Sequence, residues 1–141
     1  MASNEFDQRI LELVNNERAN VGLDPLLINE QLDQAANLHN DEMVRADMLS
    51  HQLPGEAELG ARVSITGYDW TRVGENIAAG QTTPEEVVEG WMNSPGHREN
   101  ILNPEFTHIG IGYENAPDDN NALDDFDVYW TQVFATDVFN V

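Results

Sequence analysis

His51, Glu75 and His97 are the residues of this chain whose types suit chemistry at a single point, although they stand on three separate segments. His97 lies in Trp91-Met92-Asn93-Ser94-Pro95-Gly96-His97-Arg98-Glu99-Asn100-Ile101-Leu102, and Glu75 in Gly74-Glu75-Asn76-Ile77-Ala78. Two imidazoles, a carboxylate and water make a reasonable zinc site, with Zn–N distances of about 2.0–2.1 Å. Glu75 can instead orient one imidazole through its other ring nitrogen. Positions 51, 75 and 97 match no compact motif such as HExxH. Spacing therefore leaves three readings open: direct ligands, an orienting carboxylate, or a buried hydrogen-bonded cluster without metal or turnover.

Neighbouring residues sharpen this set. Ser94 and Pro95 read as the cap and first position of a short helix, with His97 in its first turn. The positive end of that helix favours the neutral imidazole that a metal needs. Ser94 is expected to cap through its hydroxyl rather than act as a nucleophile with His97 as base. His39 repeats with Leu32, Ala36 and Met43 on an apolar helical face, so it is expected in the core and outside the site. His108 is expected to pack or face solvent. Tyr129 and Gln132 fall on opposite faces of a strand, and Trp70, Trp91 and Trp130 read as core or cleft wall. Asp118, Asp119, Asp124, Asp125 and Asp127 crowd one loop, which lacks the spacing and glycine of an EF-hand and reads as a solvated turn.

The elements that position these residues follow from period and caps. Phe6, Ile10, Leu13 and Val14 predict a first helix, broken between Gly22 and Pro25. A second runs from the Asn29 cap to about Met48, and a third covers Leu59 to Ile65. Thr83, Pro84 and Glu86 form a strong start signal for a helix ending near Met92. The period then becomes two: Thr107, Ile109, Ile111 and Tyr113 alternate with His108, Gly110 and Gly112, giving a strand with one bulky and one bare face. Phe126 to Phe134 alternates likewise, so the two predict a hairpin across an acidic loop, with Val73 to Ala78 as a further strand. Helices first and sheet later is an α+β pattern, in one domain over residues 1–141.

Composition bounds the function. Six arginines and no lysine stand against 26 acidic residues, for a net charge of −20. Gripping nucleic acid needs a basic patch that six scattered arginines hardly supply. Without cysteine there is neither a disulfide framework nor a thiolate metal site. No run approaches the roughly 20 apolar residues of a membrane span. The first residues lack the basic and apolar regions of a signal peptide, so the protein is cytoplasmic or has lost a leader. Acidity without lysine looks like a protein from an extreme halophile.

The chain resembles the CAP superfamily, or SCP-like domains, in its short bacterial and archaeal form. The resemblance rests on Asn16-Glu17-Arg18, Ala35 to Met43, Gly74-Glu75-Asn76-Ile77-Ala78, Trp91, Ser94 to Leu102, Ile109-Gly110-Ile111-Gly112 and Tyr129 to Phe134. It implies a three-layer α-β-α sandwich whose cavity holds His51, His97 and Glu75, often with a divalent metal such as Zn2+ on the histidines. Many eukaryotic members carry a second cavity glutamate where this chain has Ser94, and the stretch from Gln52 to Leu59 departs from the usual bacterial form. The resemblance further implies a secreted or cell-surface binding module whose small-molecule, lipid or protein ligand is open. The alternatives are a peptidase-like metal-dependent hydrolase with Glu75 as general base, and sterol or lipid binding in an apolar groove.

Self-repulsion at this net charge is screened as the Debye length shrinks from about 10 Å at 0.1 M salt to about 3 Å at 1 M. The melting temperature should therefore rise from dilute to multimolar salt. A thermal melt series that stays flat or falls refutes the expectation.

Overall fold

Two glycines determine how closely the layers of this protein approach. In the computed structural model, which describes residues 4–116 and 128–139, a Cβ on Gly110 would lie 2.0 Å from the Leu32 carbonyl carbon. One on Gly112 would lie 3.0 Å from the Ala36 carbonyl carbon. The bare strand face is thus the bed on which the second helix lies, backbone against backbone.

The elements run α1 (Asn4–Asn20), β1 (Leu27–Ile28), α2 (Glu30–Ala46), α3 (Leu59–Ile65), β2 (Trp70–Ala79), α4 (Pro84–Met92), α5 (Pro95–Ile101), β3 (His108–Asn115) and β4 (Val128–Asp137). The sheet order is β1-β3-β4-β2. β3 and β4 pair antiparallel, as do β2 and β4, while the two-residue β1 joins β3 in parallel. The expected small antiparallel sheet therefore gains a parallel edge, which lies just beyond the break between Gly22 and Pro25. Asn15 fixes that edge, its side-chain amide exchanging hydrogen bonds with the backbone of Leu26 at 2.8 and 3.1 Å.

Alternation along the strands sorts side chains between two layers. Ile109, Ile111, Trp130 and Phe134 pack with Ile10, Val14, Val87, Val88, Trp91 and Ile101 of α1, α4 and α5. Val133 and Ala135 pack with Leu32, Ala35, Ala36 and Val63 of α2 and α3. The result is the α-β-α sandwich. Burying each of the larger side chains contributes about 1.5–3 kcal/mol, so both helical layers are held by the sheet between them.

Helix ends follow the sequence with one exception. Asn29 accepts from Leu32 N at 3.0 Å, and Thr83 Oγ1 from Glu86 N at 3.1 Å. Glu86 returns a bond to Thr82 N, one residue earlier than a strict capping box. Ser94 holds the cap position of α5, but its side chain makes no cap hydrogen bond, contrary to expectation. The other end of α5 is secured by Arg18 of α1. Its guanidinium is buried and donates to the carbonyls of Asp24, Ile101, Asn103 and Phe106, which joins the α1–β1 turn to the end of the helix that carries His97. The acidic loop residues Asp118 to Asp127 lie outside the described residues.

The close approach at Gly110 predicts that Gly110→Ala costs about 3 kcal/mol, since the atoms it would strike are backbone. Gly90, exposed in α4 with open space at its Cβ, should behave oppositely, Gly90→Ala gaining about 0.5–1 kcal/mol. Urea unfolding of the two variants checks both signs.

Candidate functional site

β2 is the last strand of the sheet, and the site is built along its outer side. Glu75 points toward the α2–α3 layer, where only 2% of its side chain is exposed. Arg62 of α3 donates to it twice, Nη1 to Oε2 at 2.8 Å and Nη2 to Oε1 at 3.3 Å. His51 Nδ1 lies 2.9 Å from the same Oε1. Burial by itself pushes the Glu75 carboxyl up and is the largest influence. The hydrogen bonds from His51 and Arg62, with the charges of His39 and Arg62, outweigh it and hold the carboxyl below its ordinary value. Glu75 is therefore an ionised acceptor, and His51 turns Nδ1 toward it. Nε2 is the other ring nitrogen of a side chain that is 56% exposed.

His97 reaches the same edge from the opposite layer. Asn76, the next residue of β2, faces α5 and donates to the His97 carbonyl at 3.1 Å and to Gln132 Oε1 at 3.1 Å. Asn100 of α5 donates in turn to Asn76 Oδ1 at 2.9 Å and to the Glu75 carbonyl at 3.2 Å. Trp91 Nε1 donates to the Ile77 carbonyl at 3.0 Å. Side chains of α4 and α5 thus occupy strand carbonyls that would otherwise invite another chain. The His97 imidazole has its pKa lowered, first by burial and then by the charge of His51. The direction matches the sequence expectation, with burial and the neighbouring His51 as its causes.

One sequence expectation changes here. His39 is buried as expected, yet its surroundings are polar: Nδ1 is 2.6 Å from Glu56 Oε2, and Nε2 is 2.8 Å from the Ser50 carbonyl and 3.9 Å from Glu75 Oε1. It belongs to the support of the site. Glu56 and Arg62 went unnoticed in the sequence, since a glutamate in so acidic a chain and an arginine on a short helix both resemble surface residues. His108 packs against Tyr68, whose hydroxyl lies 2.8 Å from its Nδ1. Tyr129 packs with Met43 and Leu53 on one side of β4, and Gln132 meets Asn76 on the other.

The donor set open to a ligand is correspondingly small. Both Glu75 oxygens are taken by Arg62 and His51, which leaves the two imidazoles. Among the described residues no group of three or more His, Cys, Asp or Glu side chains is placed to hold a metal. His51 does meet one requirement of a metal ligand, a carboxylate orienting its far nitrogen.

A three-layer sandwich with a carboxylate-oriented histidine at its sheet edge defines a small α+β domain of the SCP-like class. The chain belongs to the CAP family, described as the cysteine-rich secretory protein family, whose model matches residues 11–134. It is 46% identical over 108 residues to the uncharacterized protein YkwD of Bacillus subtilis, which covers 77% of this chain and 42% of that protein. It is 33% identical to the uncharacterized membrane protein YlbC of the same organism, over 77% of this chain and 31% of that one. The chain thus spans less than half the length of these relatives. Among solved structures, an extracellular SCP-domain protein from Bacillus anthracis superposes with a TM-score of 0.78 at 32% identity, covering 91% of this chain and 39% of that one. An outer surface protein of Borrelia burgdorferi gives 0.83 at 20% identity, over 96% and 95%, a likeness of fold alone.

The depressed His97 pKa has a definite sign in the stability curve. Between the lowered folded value and the ordinary 6.5, the unfolded chain binds more protons than the folded one, so stability falls as pH drops through that window. His97→Gln should flatten this part of the curve in urea unfolding between pH 7 and 5. An unchanged slope would mean that His97 is not desolvated.

Proposed function

We propose that this CAP domain is a binding module whose cleft at the β2 edge holds a divalent metal, zinc being the first candidate, or a small polar ligand, through His51 and His97. The observation that carries this reading is the Glu75–His51 contact. It commits the carboxylate to orienting the imidazole and leaves Nε2 as the ring nitrogen available to a ligand, within electrostatic reach of a second, partly desolvated histidine. Zinc would be held by these two nitrogens, with water or ligand oxygen completing its shell, and would supply a Lewis acid at the cleft. Ser94, the residue before α5, would stand at its rim.

A peptidase-like hydrolase with Glu75 as general base is disfavoured by the double occupation of that carboxylate, and sterol or lipid binding has no specific observation in its favour. The extracellular and outer-surface descriptions of the Bacillus anthracis and Borrelia proteins support a secreted or surface-exposed location for this one. No described helix is long and apolar enough to cross a membrane. A halophilic source rests on the charge and the absence of lysine alone.

Calorimetric titration with zinc tests the reading. One equivalent should bind, and His51→Ala or His97→Ala should each weaken it by about a hundredfold or more, since even a partner outside the metal's own ligands is worth about 10–100-fold. Stoichiometric zinc retained in the double variant overturns the assignment.

A further inference from the structure

His39 is fully buried, and both of its ring nitrogens face oxygen acceptors. A neutral imidazole has one N–H to give, while a carbonyl and an ionised carboxylate have none. Contacts of 2.6 Å to Glu56 Oε2 and 2.8 Å to the Ser50 carbonyl therefore need one proton more than a neutral ring and an ionised Glu56 contain. That proton belongs on the ring rather than on Glu56, because an imidazole is ordinarily the stronger base of the two. Arg62 Nε lies 3.5 Å from Glu56 Oε2, Nη1 lies 2.8 Å from Glu75 Oε2, and His39 Nε2 lies 3.9 Å from Glu75 Oε1. Two buried carboxylates and one guanidinium leave a net −1, which a doubly protonated ring cancels. Protein interiors do not tolerate unbalanced charge cheaply.

We propose that His39, Glu56, Arg62 and Glu75 form a closed, charge-neutral quartet in which His39 donates from both nitrogens, and that His39 and Glu56 are positioning residues for His51. The quartet holds the segment around His51 at four backbone points. His39 takes the Ser50 carbonyl, and Arg62 Nη2 takes the His51 carbonyl at 2.9 Å. Arg62 Nε takes the Ala57 carbonyl at 3.0 Å, and Glu56 Oε1 accepts from Leu53 N at 3.2 Å. His51 itself is half in solvent, and its single bond to Glu75 is a contact to a charged group. Ordering a free loop residue costs a comparable amount of free energy for its backbone alone. The tethers remove that cost in advance, so the Glu75 bond can hold the imidazole in one tautomer.

The inference deepens the reading of His51 as a cleft ligand and rests on it for its functional meaning, but its test uses the metal-free protein. Failure of zinc binding would leave the test intact. Long-range 15N–1H correlation spectra at neutral pH should show a hydrogen on each His39 nitrogen, and His51 as a single Nδ1–H tautomer. In Glu56→Gln the new amide can donate to His39 Nδ1, so that nitrogen should lose its hydrogen while His51 keeps its tautomer. In Glu56→Ala nothing meets Nδ1, and the His51 signals should average between tautomers. An unprotonated His39 Nδ1 in the native protein overturns the proposal. So does a folded Glu56→Ala protein with His51 unchanged. If Glu56→Ala does not fold, the native and Gln spectra decide, since the loss of one His39 proton with His51 retained is a change that packing alone does not produce.

Discussion

Burying the Glu75 carboxylate is the constraint on which the site's arrangement depends. Removing an ion from water costs several kcal/mol even after relaxation, and only well-aligned partners offset it. Arg62 supplies the paired charge, so α3 must lie where a guanidinium reaches β2. Arg62 is then itself buried, and its remaining donors need acceptors; they find them in the carbonyls of His51 and Ala57. The path of the segment between α2 and α3 is thereby set by the hydrogen-bond needs of one ion pair. Truncating either partner would leave the other charged and unmatched, which is why such pairs are far costlier to halve than to replace whole.

The opposite side of the sheet edge solves its problem with neutral groups. Asn76, Asn100 and Gln132 form an amide chain that holds α5 by backbone contacts at His97 and Glu75. Arg18 secures the far end of the same helix. Successive residues of one strand, Glu75 and Asn76, thus direct an ionic network into one helical layer and an amide network into the other. His51 and His97 approach the edge from those two layers. The asymmetry has a chemical result: His51 is backed by a carboxylate, whereas the backing of His97 acts on its main chain and leaves the ring governed by burial and by the charge of His51.

Much of this was legible in the sequence because it is local. The caps at Asn29 and Thr83, the 3.6-residue periods of α1 and α2 and the alternation through Ile109 and Ile111 report nearby geometry, and the structure follows them. The glycine-bearing face of β3 was visible as a pattern, but its purpose, contact with the α2 backbone, requires the third dimension. β1 was missed because two residues carry no period. Arg62 and Glu56 were missed for a different reason: their partners lie on other elements, and charged residues in a chain this acidic default to the surface. His39 shows the limit of periodicity, which placed it inside correctly and could not say that it meets carboxylates there.

These arrangements narrow the chemistry the edge can perform. A nucleophilic serine needs its hydroxyl against a base, and no described hydrogen bond joins Ser94 to His97. Glu75 is buried, and both of its oxygens already accept hydrogen bonds from within the protein. At the edge itself, His51 turns Nδ1 to Glu75, and burial lowers the pKa of the His97 imidazole. On the proposed reading, the edge would hold a ligand through His51 and His97 rather than turn one over.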